Sequence, residues 1–268
     1  MENPVQALSL MYHDVVEDGQ WDSSGLTTAG AAEYKLEVRE FERHLAAIQA
    51  ALPKAAVEVV DRVDWTRSHR PVFLTFDDGG VSAYTLIAGA LERRGWRGHF
   101  FVTTNHLGEP SFVNREQVRE LRRRGHVIGS HSCSHPIRMS RCTPDELAWE
   151  WRESVRVLSG ILEEPVTVAS VPGGHYSRQV AQAAAEAGIR YLFTSEPTAA
   201  AAMVDGCAIL GRYYLQRGMT PETAAAFAQG RIPARWKQAL LWKLKKAAKA
   251  AGGDVYLRVR EAAFRGYK

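Results

Sequence analysis

Phe73-Leu74-Thr75-Phe76-Asp77-Asp78-Gly79-Gly80 is the stretch on which the reading of this chain turns. A short apolar run of strand-forming residues ends in two adjacent carboxylates followed by two glycines. Neighbouring carboxylates repel, so a fold gains nothing from placing both at the end of a buried strand unless a positive charge sits there as well. A divalent cation meets that need, and further ligand-type side chains follow in His131-Ser132-Cys133-Ser134-His135. Two imidazoles four residues apart reach one side of a helical turn or of a tight loop.

On either side of this stretch, strand-like and helix-like segments alternate. Extended runs are expected at 7–12, 71–76, 99–102, 127–128, 166–168, 191–193 and 209–215. Phe41, Leu45, Ile48 and Leu52 recur on one helical face, which Pro53 closes. Further helices are expected over 81–94, stopped by Gly95, over 177–187, stopped by Gly188, and over 221–228. Asn114 with Gln117 predicts a capping box for a helix ending near Arg124, and Thr143-Pro144-Asp145-Glu146 predicts another for a helix running to Leu162. This alternation points to a parallel α/β sheet, open or closed into a barrel, with its site at the carboxyl ends of the strands.

Composition limits the partners. No apolar run approaches the ~18 residues needed to span a bilayer. Met1-Glu2-Asn3-Pro4 begins no signal-like pattern, and three cysteines suggest no disulfide framework, so a cytoplasmic location is expected. From Arg231 to Lys268 there are eleven Lys or Arg against Asp254 and Glu261, a net charge of +9; with a chain total of +4, the preceding 230 residues carry −5. The chain is therefore divided into a body over 1–230 and a basic, helical extension over 231–268. In that extension Trp236, Leu240, Leu241 and Leu244 alternate with lysines. The pattern suits either a helix packed on the body or an amphipathic helix in peripheral contact with anionic lipid. No nucleic-acid motif is present.

A hydrolytic metal site needs few protein ligands and one open position. Asp78, His131 and His135 supply a carboxylate and two imidazoles, a set that suits Zn2+ and also accepts Co2+, Ni2+ or Fe2+. Asp77 is then left to take a proton from metal-bound water, whose pKa the ion lowers to about 7. Cys133, two residues beyond His131, is expected to point away from the ligands. His99 is expected in the core or at its rim, and at least one of Trp149 and Trp151 in the core.

Thr75-Phe76-Asp77-Asp78-Gly79 and His131-Ser132-Cys133-Ser134-His135 resemble the first two motifs of the polysaccharide deacetylases, the NodB-homology group of carbohydrate esterase family 4. His99-Phe100-Phe101-Val102-Thr103-Thr104 and Pro172-Gly173-Gly174 fit the same framework, and the resemblance covers roughly residues 5–215. It implies a distorted (β/α) barrel. It also implies Asp77 as general base, Asp78, His131 and His135 as ligands of one divalent metal, and removal of an N-acetyl group from an amino-sugar-containing saccharide or glycan precursor. The other readings are a catalytically silent saccharide-binding or scaffold relative, and a deformylase or amidase acting on a non-acetyl amide.

The sequence departs from the family pattern in three places. Ser170 stands where the third motif usually carries an Arg that orients the base, and Arg212 is the candidate substitute. The usual C-terminal Leu-x-x-His is missing. Leu10-Met11-Tyr12-His13-Asp14-Val15 resembles the N-terminal stretch of a circularly permuted subgroup, which makes His13 the expected general acid. Gly173 falls where the family offers a backbone N–H to the oxyanion. Tyr12, Pro172, Gly174, His175 and Tyr176 are expected with it around the sugar.

Overall fold

The computed structural model describes residues 6–21, 23–24, 32–53, 57–66, 69–236, 238–240 and 242. Nine strands form one curled sheet. They are β1 (Leu8–Tyr12), β4 (Val72–Phe76), β5 (His99–Val102), β6 (Val127–Ser130), β7 (Val168–Ser170), β8 (Tyr191–Phe193), β9 (Ala202–Val204), β10 (Cys207–Leu210) and β11 (Tyr213–Tyr214). Their spatial order is β11-β1-β4-β5-β6-β7-β8-β10-β9, and every pairing is parallel except that of β9 with β10. A separate parallel pair, β2 (Asp14–Val16) and β3 (Lys35–Glu37), lies beyond the end of β1.

Helices cover the outside: α1 (Val38–Ala51), α2 (Ala88–Glu92) entered through the π-helical turn Ala83–Ile87, α3 (Arg115–Arg123), α4 (Pro144–Leu162), α5 (Arg178–Glu186) and α6 (Pro221–Ala228). Both predicted capping boxes form: Asn114 with Gln117 starts α3, and Thr143 with Glu146 starts α4. Each satisfies two backbone donors that the first helical turn would otherwise leave open.

Sequence alternation sorts the strand side chains into two layers. Val72, Leu74 and Phe76 face the helices, together with Phe100 and Val102. Phe73, Phe101, Val168, Phe193 and Leu210 fill the interior of the curl, where the ring centroids of Phe73 and Phe193 stand 6.0 Å apart. A period of two then carries the inner face of β4 from Phe73 through Thr75 to Asp77. The first carboxylate therefore points into the barrel mouth.

β11 stands at one end of the sheet order and β10 is the last strand but one at the other, yet only Gly211 and Arg212 separate them. Three residue steps span at most about 11 Å, so the two ends of the sheet meet there. The Ala7 N–H donates to the Ala199 carbonyl at 2.9 Å across the same seam. Only glycine fits at 211, because a Cβ there would come 2.4 Å from the Glu196 carbonyl oxygen. The expected extended run at 209–215 is thus two strands with different neighbours, and the seam between them turns Arg212 inward.

Two other expectations shift. The strand expected at 166–168 lies at Val168–Ser170, since the Val166 N–H is drawn instead to Ser159 Oγ at 3.0 Å. The three-residue strands β2, β3 and β9 were not anticipated, being too short to show a period. Among the described residues no helix is long and apolar enough to cross a membrane. Residues 232–236 and 238–240 are helical, as expected for the start of the basic extension; residues 243–268 lie outside the described residues.

Candidate active site

Asp77 and Asp78 leave the end of β4 in different directions. Asp77 continues the inner face and is 4% exposed. Asp78 adopts a positive φ of 74°, followed by Gly79 at 85°. That reversal brings the second carboxylate to the rim beside the loop after β6, where Ser132 (φ 63°) and His135 (φ 55°) are also left-handed. Left-handed backbone is uncommon outside glycine, and three such residues gather in these two loops. The Nε2 atoms of His131 and His135 lie 3.3 and 3.5 Å from Asp78 Oδ1. One ligand atom from each of these three residues falls within 4.8 Å of the others.

This donor set fits a divalent metal. His131 Nδ1 donates to the Ser170 carbonyl at 3.0 Å, which fixes the tautomer and leaves Nε2 free to ligate. Burial by itself would raise the Asp78 pKa, but the His131 hydrogen bond and the surrounding imidazoles outweigh it and hold the carboxyl below its usual range. Cys133 points elsewhere, its Sγ 3.2 Å from Asn105 Oδ1, in agreement with the spacing argument.

Asp77 is held by Arg212, which is fully buried. The guanidinium donates from Nη1 to Oδ1 at 2.7 Å and from Nη2 to Oδ2 at 2.8 Å, a bidentate pair. Its remaining donors reach Thr194 O at 3.0 Å, Thr75 Oγ1 at 3.2 Å and Ser170 Oγ at 2.7 Å. Burial raises the Asp77 pKa, but the charge and hydrogen bonds of Arg212, together with the His131 and His13 imidazoles, outweigh it and hold the carboxyl below its ordinary value. The small Ser170 is what admits the guanidinium arriving from the seam. Asp77 Oδ2 lies 4.0 Å from His131 Nε2, which places the carboxylate beside the ligand cluster.

His13 follows β1, the strand next to β4, and its ring centroid lies 4.3 Å from that of Tyr34. Desolvation lowers its pKa, opposed by Asp78 and Asp77 and assisted by Arg212 and His131, so the imidazole is within electrostatic reach of those four groups. Its Nδ1 is buried with no hydrogen-bond partner among the described residues. Pro172, Gly173 and Gly174 form a turn after β7, with Gly173 at φ 59° and Gly174 at φ 69°. His175 is half-buried beyond that turn, and Tyr176 packs against the apolar cluster around Trp151.

One expectation is overturned. Tyr12 cannot touch a sugar, because it is fully buried between Phe41 and Phe76, with its hydroxyl 3.5 Å from His44 Nδ1. Strand alternation turns Tyr12 outward toward α1. His99 is a core residue, as expected: its Nε2 accepts from Val60 N–H at 2.9 Å and its Nδ1 lies 3.1 Å from Leu74 O. Trp151 is buried while Trp149 is 54% exposed, so the core takes one of the pair.

Sequence reasoning missed Glu150. This buried residue on α4 accepts the backbone N–H groups of Cys133 and Ser134, both at 2.9 Å, and the Ser134 hydroxyl. It clamps the loop that carries both histidines. Its signal was available, because it occupies an apolar-face position between Leu147 and Ser154. Asp14 was missed as well. It is buried, bonds the Ser82 hydroxyl and accepts the Val15 N–H at 2.9 Å, tying the strand after His13 to the segment after Gly80.

Residues 65–192 match the family model described as polysaccharide deacetylase. YxkH of Bacillus subtilis (strain 168), described as a candidate polysaccharide deacetylase, is 26% identical over 233 residues, 85% of this chain and 78% of that protein. The deacetylase PplD of Streptococcus pyogenes, solved in complex with acetate, has a TM-score of 0.64 at 21% identity, covering 82% of this chain and 96% of its own. IcaB from Ammonifex degensii gives 0.63 at 22% identity, covering 84% and 97%. These solved structures bear out the curled α/β barrel, and the family match bears out the resemblance carried by the two motifs.

Proposed function

Because residues 65–192 match the family model described as polysaccharide deacetylase, we propose that the chain is a metal-dependent hydrolase that removes an N-acetyl group from an amino-sugar-containing saccharide or glycan precursor. One juxtaposition carries the reading: the arginine-held carboxylate of Asp77 stands 4.0 Å from His131, which groups with Asp78 and His135. A binding protein gains nothing from an ionised, buried carboxylate beside a ligand cluster, whereas hydrolysis needs a base there.

Zn2+ held by Asp78, His131 and His135 would polarise the acetamide carbonyl and ease deprotonation of water. Asp77 takes the proton of the attacking water, and Arg212 keeps that carboxylate charged and correctly turned. A C–O bond forms at the carbonyl carbon and the C–N bond breaks. His13, from the neighbouring strand end, gives the departing amine its proton. Gly173 is placed at the turn after β7, where its N–H serves the developing oxyanion. His175 and Gly174 flank the same turn and are assigned to the sugar.

The test is acetate release from a panel of N-acetylated amino-sugar oligosaccharides, using protein stripped by a chelator and reloaded with Zn2+. Acetate is expected only from the loaded protein and not from Asp77→Asn. Formate release from N-formyl analogues in place of acetate would move the chain to the deformylase reading. Stoichiometric metal uptake with no hydrolysis across the panel would leave a saccharide-binding relative.

A further inference from the structure

The basic extension begins as a helix, and its two faces differ. Arg235 donates from Nε to the Tyr213 hydroxyl at 2.7 Å and from Nη1 to Gly230 O at 3.4 Å. Gln238 is 4% exposed, and its amide forks onto the edge strand β11. Tyr214 N–H donates to Gln238 Oε1 at 3.1 Å, and Gln238 Nε2 donates to Tyr214 O at 2.9 Å. Ala234 packs on the main core cluster. These contacts cover the sheet edge and fix the rotation of the helix.

The opposite face holds Ile232, Trp236 and Leu240, spaced by four residues and 64%, 75% and 61% exposed. A stripe of large apolar side chains turned to water on a helix whose other face is already docked marks an interaction surface. Charge names the partner. Residues 231–268 carry a net +9, while the body carries −5. An anionic surface therefore attracts the segment of chain that includes the stripe and repels residues 1–230. Tryptophan with aliphatic side chains, amid excess Lys and Arg, is the composition that enters the headgroup layer of an anionic bilayer.

We propose that Ile232, Trp236 and Leu240 form a peripheral docking face for an anionic lipid surface. This inference does not depend on the proposed hydrolysis. The test is co-sedimentation of the full chain with vesicles of phosphatidylglycerol and phosphatidylcholine, compared with phosphatidylcholine alone. Binding is expected to the anionic vesicles, weakened by high salt, and at least tenfold lower for the triple variant Ile232→Ser/Trp236→Ser/Leu240→Ser. The variant's circular dichroism and its acetate release from a soluble substrate are expected to match the parent. Equal partitioning of parent and triple variant, or no preference for anionic vesicles, overturns the proposal. So does concentration-dependent dimerisation of the parent that the triple variant loses without any vesicle binding, which would assign the stripe to a second copy of the chain.

Discussion

The two sides of the candidate site are built to different standards. On the side formed by β4, β6 and β7, nearly every reactive atom is held. Asp77 has both oxygens on Arg212, His131 is fixed through Nδ1, and the loop between the histidines hangs on Glu150. On the β1 side, His13 rests against Tyr34, and its buried Nδ1 has no partner among the described residues. An unsatisfied buried polar atom costs about 1–3 kcal/mol, and a fold keeps that cost where the atom has work to do with a ligand. The difference teaches that Asp77 and the Asp78, His131 and His135 group are pre-set, while the His13 ring is held only by packing, as the proposed base, ligands and acid would require.

The comparison can be broken at its most rigid point. Asp77→Asn is expected to lower the rate of acetate release about 10³–10⁴-fold with metal content unchanged, because it removes a proton acceptor and no ligand. Equal activity would show that the held side is structural. His13→Ala should cost about 10²–10³-fold in rate and also leave metal binding intact; a near-parental rate would withdraw the acid assignment. Glu150→Ala is expected to weaken metal affinity about 10–100-fold in chelator competition, as supporting-shell losses do, whereas Glu150→Gln keeps most of the clamp. Equal affinity for all three proteins would detach the clamp from the site.

The smallest effect is one of pH. His99 and His126 lie beneath the held side with pKa values of about 4, chiefly because burial disfavours their charged forms. Both values lie below the unfolded value of about 6.5. The stability from keeping these rings neutral is therefore complete above about pH 6.5 and is lost as pH falls toward about 4, by at most ~1.4 kcal/mol per unit for each ring. Chemical denaturation at stepped pH should show the midpoint falling across that window. A flat midpoint would mean that the two histidines do not titrate with folding.

How far the sequence could be read follows from distance along the chain. Asp77 and Asp78 share a strand end, and His131 and His135 share a loop, so local spacing carries their chemistry. Capping boxes, strand alternation and turn glycines are equally local, which is why most elements fall close to their expected places. Tyr12 was misassigned because nearness to His13 in sequence says nothing about face, and alternation turned it outward. Glu150 and Asp14 act on backbone and hydroxyl groups brought close only by folding, 16–17 and 68 residues away.

The family match at 65–192 excludes both His13 and Arg212, yet Arg212 holds Asp77 and His13 follows the strand that pairs with β4. The sequence by itself determined the carboxylate pair, the two histidines and the alternating α/β pattern, because each is a short-range arrangement of residue types. Only the tertiary structure decided that Arg212 reaches Asp77 across 135 residues of sequence. That contact exists because the ends of the sheet meet at Gly211 and Arg212, and closure of a barrel is a property of all its strands together.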